Sequence, residues 1–93
     1  MTVHAVAYLY VKDPDMIARY RDKAAAALAK HGGSVLQGSA EPRCLEGDIE
    51  TPTLIAILSF PDKEAAMAWH NDPDLADTHA LRTGGGSSNI FLL

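Results

Sequence analysis

His31, Glu46, His79 and Arg82 are the residues of this chain best suited to move a proton or hold an anion. Imidazole titrates near neutral pH, a carboxylate accepts a proton, and a guanidinium presents paired donors to a carboxylate or enolate. Arg82 ends a predicted helix just before Gly84-Gly85-Gly86. That run reads as part of a flexible loop, Thr83 to Ser88, able to open and close over a bound molecule. His79 stands three positions before Arg82 and shares its side of the helix. Glu46, where a second strand meets a turn, reads as a general base, a partner for Arg82, or a solvated carboxylate. His31 precedes Gly32-Gly33 and either caps the carbonyls of a helix end or is poised by the helix dipole as an acid or base. Trp69 packs on the sheet or walls a pocket. Tyr8 and Tyr10 lie with His4 on one face of the first strand, opposite the small residues Ala5 and Ala7.

Other chemistries find no support. None of the histidines forms a His-x-His or His-Glu-x-x-His pair, and Cys44 is the sole cysteine, so no metal is expected. Ser87-Ser88 follows glycines but lacks a phosphate-loop lysine and enters a strand, and no dinucleotide fingerprint is present, so no organic cofactor is expected either. The formal charge is −4, from 12 acidic and 8 basic residues with no basic cluster, which argues against a nucleic-acid partner. No stretch approaches the roughly 20 apolar residues of a membrane span. The Val3 to Val11 run lacks the flanks of a signal peptide. With one cysteine, a reducing, cytoplasmic location is expected.

The elements that must position these residues follow from local signals. Val3 to Val11 and Leu54 to Phe60 read as strands that are apolar on both alternating faces. A strand with one wet face should alternate. Asp13-Pro14-Asp15 starts a helix that runs to about His31, with Ile17, Tyr20, Ala24, Leu28 and His31 on its inward stripe. Gly32-Gly33 ends it. A bulged or edge strand spans roughly Ser34 to Glu46, because Gly38 and Pro42 suit an edge. Gly47 to Pro52 turn the chain. Asp62 caps a second helix that breaks at Asn71, and Asp72-Pro73-Asp74 starts a short third one to about Arg82. Asn89 to Leu93 is the last strand.

The order β-α-β-β-α-(α)-β is that of a ferredoxin-like α+β fold with an antiparallel four-stranded sheet. In it the first and third strands are central, and both helices cover one sheet face. Residues 1–93 then form a single domain. A domain this small buries only about 60–65% of its unfolded surface. Its 47% apolar composition and its double-sided central strands call for a second copy on the open face, hence a homodimer.

An ordered set of short motifs runs along the chain. Lys12-Asp13-Pro14 and Tyr20, His31-Gly32-Gly33, Leu45-Glu46-Gly47-Asp48, Phe60-Pro61, Ala65-Ala66 and Trp69, Asp72-Pro73 and Arg82 recur in sequence over nearly the whole chain. The pattern resembles domain-of-unknown-function family 1330 of the dimeric α+β barrel superfamily. The resemblance implies a ferredoxin-like protomer and a barrel of two sheets packed face to face. It implies no established reaction. The family's usual Ser-Pro-Glu-Tyr is here Asp72-Pro73-Asp74-Leu75, so its tyrosine is absent.

Two functions fit. One is a cofactor-free oxygenase- or isomerase-like enzyme for a small enolisable or aromatic metabolite, by analogy with other families of that superfamily. His31, His79 or Glu46 would take the proton, Arg82 would hold the anion, and Trp69 with Tyr8 and Tyr10 would line the ligand site. The alternative is a non-catalytic dimeric module that binds a small molecule or a partner.

Overall fold

The computed structural model describes residues 1–93. Strand β1 (Val3–Val11) leads to helix α1 (Pro14–Ala29), where the Asp13 carboxylate accepts from the backbone N–H groups of Asp15 and Met16. Gly32, at φ +73, takes the left-handed turn that ends the helix. Here the Gly33 N–H donates to the Leu28 carbonyl at 2.8 Å. Strand β2 (Ser34–Ser39) carries a bulge between Val35 and Gln37 and stops well short of Glu46. Pro42 lacks the N–H that continued pairing would need. Residues 40–53 run as an irregular loop, tied back where the Tyr10 hydroxyl donates to the Glu50 carbonyl and the Thr53 N–H to the Leu9 carbonyl.

Strand β3 (Leu54–Phe60) is followed by α2 (Lys63–Asn71), capped by Asp62 on the Ala65 N–H. Asp72 caps a 3-10 turn (Pro73–Leu75) that runs into α3 (Ala76–Gly84), and β4 (Gly86–Leu92) completes the chain. All neighbouring strands are antiparallel, in the order β2-β3-β1-β4. The ferredoxin-like topology and the central places of β1 and β3 are those expected.

The glycine run is not a loop. Thr83 and Gly84 belong to α3, and Gly86 already pairs with Val11. Gly85 is buried between them. Its carbonyl accepts from the N–H groups of both Lys12 and Asp13, and its own N–H donates to Leu81. A Cβ at Gly85 would overlap the Ile17 side chain, and one at Gly86 would overlap the Tyr10 carbonyl. Glycine is required here for close approach rather than for mobility.

The pleat divides the sheet into two faces. Ala5, Ala7, Leu58 and Phe60 point to the helices and join Ala27, Leu28, Ala66, Trp69 and Leu75 in one core. The small side chains of β1 let the helices lie close. The other face presents His4, Val6, Tyr8, Tyr10, Ile55 and Ile57, all partly exposed. Phe91 beside them is 59% exposed and stacks on Tyr8 at 6.0 Å between ring centroids. No helix is long and apolar enough to cross a membrane.

Candidate functional site

Arg82 lies in the last turn of α3, yet its side chain turns inward and the residue is only 3% exposed. Its Nε donates to the Ser88 hydroxyl of β4 at 3.2 Å, and its NH1 to the Tyr20 hydroxyl of α1 at 3.3 Å and to His79 Nδ1 at 3.0 Å. The guanidinium carbon stands 5.3 Å from the ring centroids of both Tyr20 and Trp69, within cation–π range. NH2 makes no hydrogen bond within the chain. No carboxylate pairs with it, because the ion pairs of the protein all join Lys30 or His31 to Asp72 or Asp74. A buried charge held only by neutral acceptors and aromatic faces is costly.

His79 holds Arg82 in place. Its Nε2 lies 2.9 Å from the Trp69 carbonyl, which can only accept, so Nε2 carries the proton. Nδ1 is then the lone pair that receives Arg82. Burial lowers the His79 pKa, and the nearby Arg82 and His70 charges add to this against the opposing pull of the Trp69 carbonyl. Both ring nitrogens are thus engaged, and His79 positions the guanidinium rather than offering a free base. Its ring packs edge-on against Trp69 at 4.8 Å. The Trp69 indole N–H is buried with no partner.

Two cavities meet at Arg82. A cleft of about 430 Å³ lies along α2 and the α3–β4 joint, lined by Phe60, Met67, Trp69, His70, Thr83 and Leu92. A chamber of about 310 Å³ lies beneath α1, lined by Ile17, Tyr20, Ala24, Leu28, Ala56 and Leu58. Arg82 and Ile90 line both. In the cleft, His70 bonds through Nδ1 to the Asn71 side chain at 3.3 Å, and its Nε2 is unengaged.

Arg82, His79 and Trp69 are therefore brought together as expected, but the other candidates stand apart. His31 neither caps carbonyls with its ring nor lines either of these two cavities. Its Nε2 meets the Asp72 carboxylate at 2.8 Å, beside Lys30 Nζ at 2.7 Å. Those two contacts and the Asp74 N–H hold Asp72 far below the usual carboxylate range. Glu46 is exposed in the 40–53 loop, and its side chain meets neither Arg82 nor any other group. Tyr8 and Tyr10 lie across the sheet from the Arg82 cluster, on the open face. The absence of a mobile glycine loop removes the lid expected over Arg82. No group of three or more histidine, cysteine or acidic residues is placed to hold a metal ion.

Three contributors carry no sequence signal that assigns them a role: Tyr20, Ser88 and His70. Tyr20 was visible on the inward stripe of α1, but its partner lies 62 positions away. Nothing local marks Ser88 or separates His70 from a surface histidine.

The chain belongs to the family described as a domain of unknown function, DUF1330, which it matches over residues 2–93. Among solved structures it is similar to a protein of unknown function from Rhodopseudomonas palustris, with 17% identity and a TM-score of 0.76 over 99% of this chain and 80% of that one. A dimeric ferredoxin-like protein of unknown function from Jannaschia sp. CCS1 shares 16% identity at a TM-score of 0.74, covering 100% of this chain and 98% of the other. SnoaB, a cofactor-independent oxygenase from Streptomyces nogalater, shares 17% identity at a TM-score of 0.71, covering 99% and 90%. At such identities the likeness shows a common fold. No match is found among proteins of curated function.

Proposed function

We propose that this protein is a small enzyme of the cofactor-independent kind, working as a homodimer, that stabilises the anion of an enolisable or aromatic molecule against Arg82. The observation that carries this reading is a buried guanidinium with a free NH2 and no carboxylate. Such a group is short of one anion, and an enolate, phenolate or carboxylate in the cleft supplies it. His70 is the base best placed for the chemistry, since it lines the same cleft with Nε2 unengaged. It would take a proton from the carbon beside a carbonyl, and the C–H electron pair would move onto the carbonyl oxygen beside Arg82. Return of the proton from His70 to another carbon of a conjugated anion gives an isomer; addition of dioxygen to the carbanion forms a C–O bond and reduces the dioxygen to a peroxide, which takes the proton back from His70 as a hydroperoxide. The fold shared with SnoaB supports this as analogy. The apolar open face of the sheet and the dimeric neighbour support the homodimer.

A thermal-shift screen of 1,3-dicarbonyls, phenols and aromatic carboxylates identifies the ligand class, because binding raises stability by mass action. Exchange of the acidic C–H with deuterated water, followed by NMR, then tests the chemistry. The enzyme reading expects exchange accelerated by the protein and lost in His70→Asn. Binding without accelerated exchange would mark a non-catalytic module instead.

A further inference from the structure

The chamber beneath α1 has a feature the cleft lacks. Its lining is hydrocarbon apart from Tyr20 and Arg82 and from Arg21, Gly38 and Ser39, which are exposed. Ala7, Ala24 and Ala56 leave space that larger side chains would fill. The partly buried Tyr20 oxygen accepts from Arg82 NH1, and no group of the protein accepts the phenol's own proton. A hydroxyl that accepts from a cation is polarised and becomes a stronger donor. An apolar chamber thus has in its lining a strong donor with nothing in the protein to receive it. Its volume is at the lower end of the range for small-molecule sites.

We infer that this chamber is a second ligand site, distinct from the cleft, for an apolar aromatic or short acyl compound that carries one carbonyl or carboxylate acceptor. The body lies against Ile17, Leu28 and Leu58, and the acceptor oxygen receives the Tyr20 proton. Because Tyr20 and the cleft ligand both use Arg82, the two sites are linked through one guanidinium. The chamber site does not depend on His70, so it stands or falls separately from the reaction proposed above.

Three probes of matched shape test it: 2-naphthoate, 2-acetonaphthone and naphthalene. Binding is read from the fluorescence of Trp69, the single tryptophan, and by calorimetry. Affinity should fall in that order, since naphthalene has no acceptor. Tyr20→Phe should weaken 2-acetonaphthone by about fivefold, the worth of one net hydrogen bond, and leave naphthalene unchanged. Ala24→Leu fills the chamber and should abolish binding of naphthalene and 2-acetonaphthone, leaving 2-naphthoate at most the cleft, while Thr83→Leu, which fills the outer cleft, should spare the binding of those two. Should Ala24→Leu prove unstable in a thermal melt, the more flexible Ala24→Met serves the same purpose. The inference is overturned if none of the probes binds at millimolar concentration, if Tyr20→Phe weakens naphthalene and 2-acetonaphthone equally, or if Thr83→Leu rather than Ala24→Leu blocks those two probes.

Discussion

Gly86→Ala should be the most damaging single-methyl change in this protein, and it separates a packed joint from a mobile lid. A Cβ at Gly86 would overlap the carbonyl oxygen of Tyr10, a backbone atom in a central strand that cannot move aside without breaking the β1–β4 pairing. The cost should exceed about 3 kcal/mol, a large share of the stability of so small a domain. At Gly85 the added methyl would overlap Ile17 and sit 3.0 Å from the Leu81 carbonyl. That is overpacking, at about 1–3 kcal/mol. At Gly84 it would meet only the terminal methyl of Met16, at 2.7 Å, the free end of a flexible side chain. There the better helix propensity of alanine, worth up to about 1 kcal/mol, offsets the adjustment. For a domain of this size 1 kcal/mol shifts the melting temperature by roughly 4–8 °C. Melting curves should therefore show Gly84→Ala near or above the parent, Gly85→Ala lower by roughly 5–20 °C, and Gly86→Ala lowest or unfolded. A Gly86→Ala protein melting within a degree or two of the parent would refute the joint and restore a loose loop.

Arg82→Met should weaken binding of the cleft ligand by about 1.5–3 kcal/mol in calorimetry, the range for a charge-assisted contact. The fold should survive it, since a hydrophobic replacement removes a buried charge together with its desolvation cost. Asp72 is held low by Lys30, His31 and the Asp74 N–H. Its contribution to stability is complete above the ordinary carboxylate value of 3.8 and is lost as pH falls through the lower folded value. Asp72→Asn should lower the melting temperature at pH 7 and flatten its decline in acid. His79 is held below its ordinary 6.5, so the neutral ring that anchors Arg82 should persist somewhat below pH 6.5, with stability starting to fall as pH drops under that value. A melting-temperature series from pH 7.5 to 5 on the parent and His79→Asn checks this, and the dependence should vanish in the variant. Ile57 faces the open side of the sheet, so Ile57→Asp should leave a folded monomer in sedimentation equilibrium while the parent sediments as a dimer.

The sequence was most legible where one interaction decides the outcome within a few residues. Asp13, Asp62 and Asp72 each cap the turn that follows them, and the double-sided β1 and β3 announce central strands. Legibility failed where partners are distant. A glycine run is equally at home in a flexible loop and at a crowded joint, and only Ile17 and Tyr10, far off in the chain, decide between them. β2 ends at Ser39, short of Glu46, because an edge strand has a partner on one side only and its length depends on where that pairing ceases. Arg82 and His79 could be set on one side of a helix by spacing, but the direction of that side, into the core, depends on Tyr20 and Ser88 in other elements. His31 and Glu46 have suitable chemistry but line neither cavity that meets Arg82. Chemistry can be read from residue type, whereas convergence is a tertiary property.

The joint at Gly85 also bears on how fast and how tightly a ligand is held. Arg82 precedes it by three residues and is fixed further by Ser88, Tyr20 and His79. A surface arginine loses rotamer freedom when it captures an anion, and that loss subtracts from affinity. Here the ordering is already complete before the ligand arrives. Binding at Arg82 should therefore carry a small entropic penalty, and exchange should follow the fluctuations of α1 and α2 around the cavities rather than the swing of a gate.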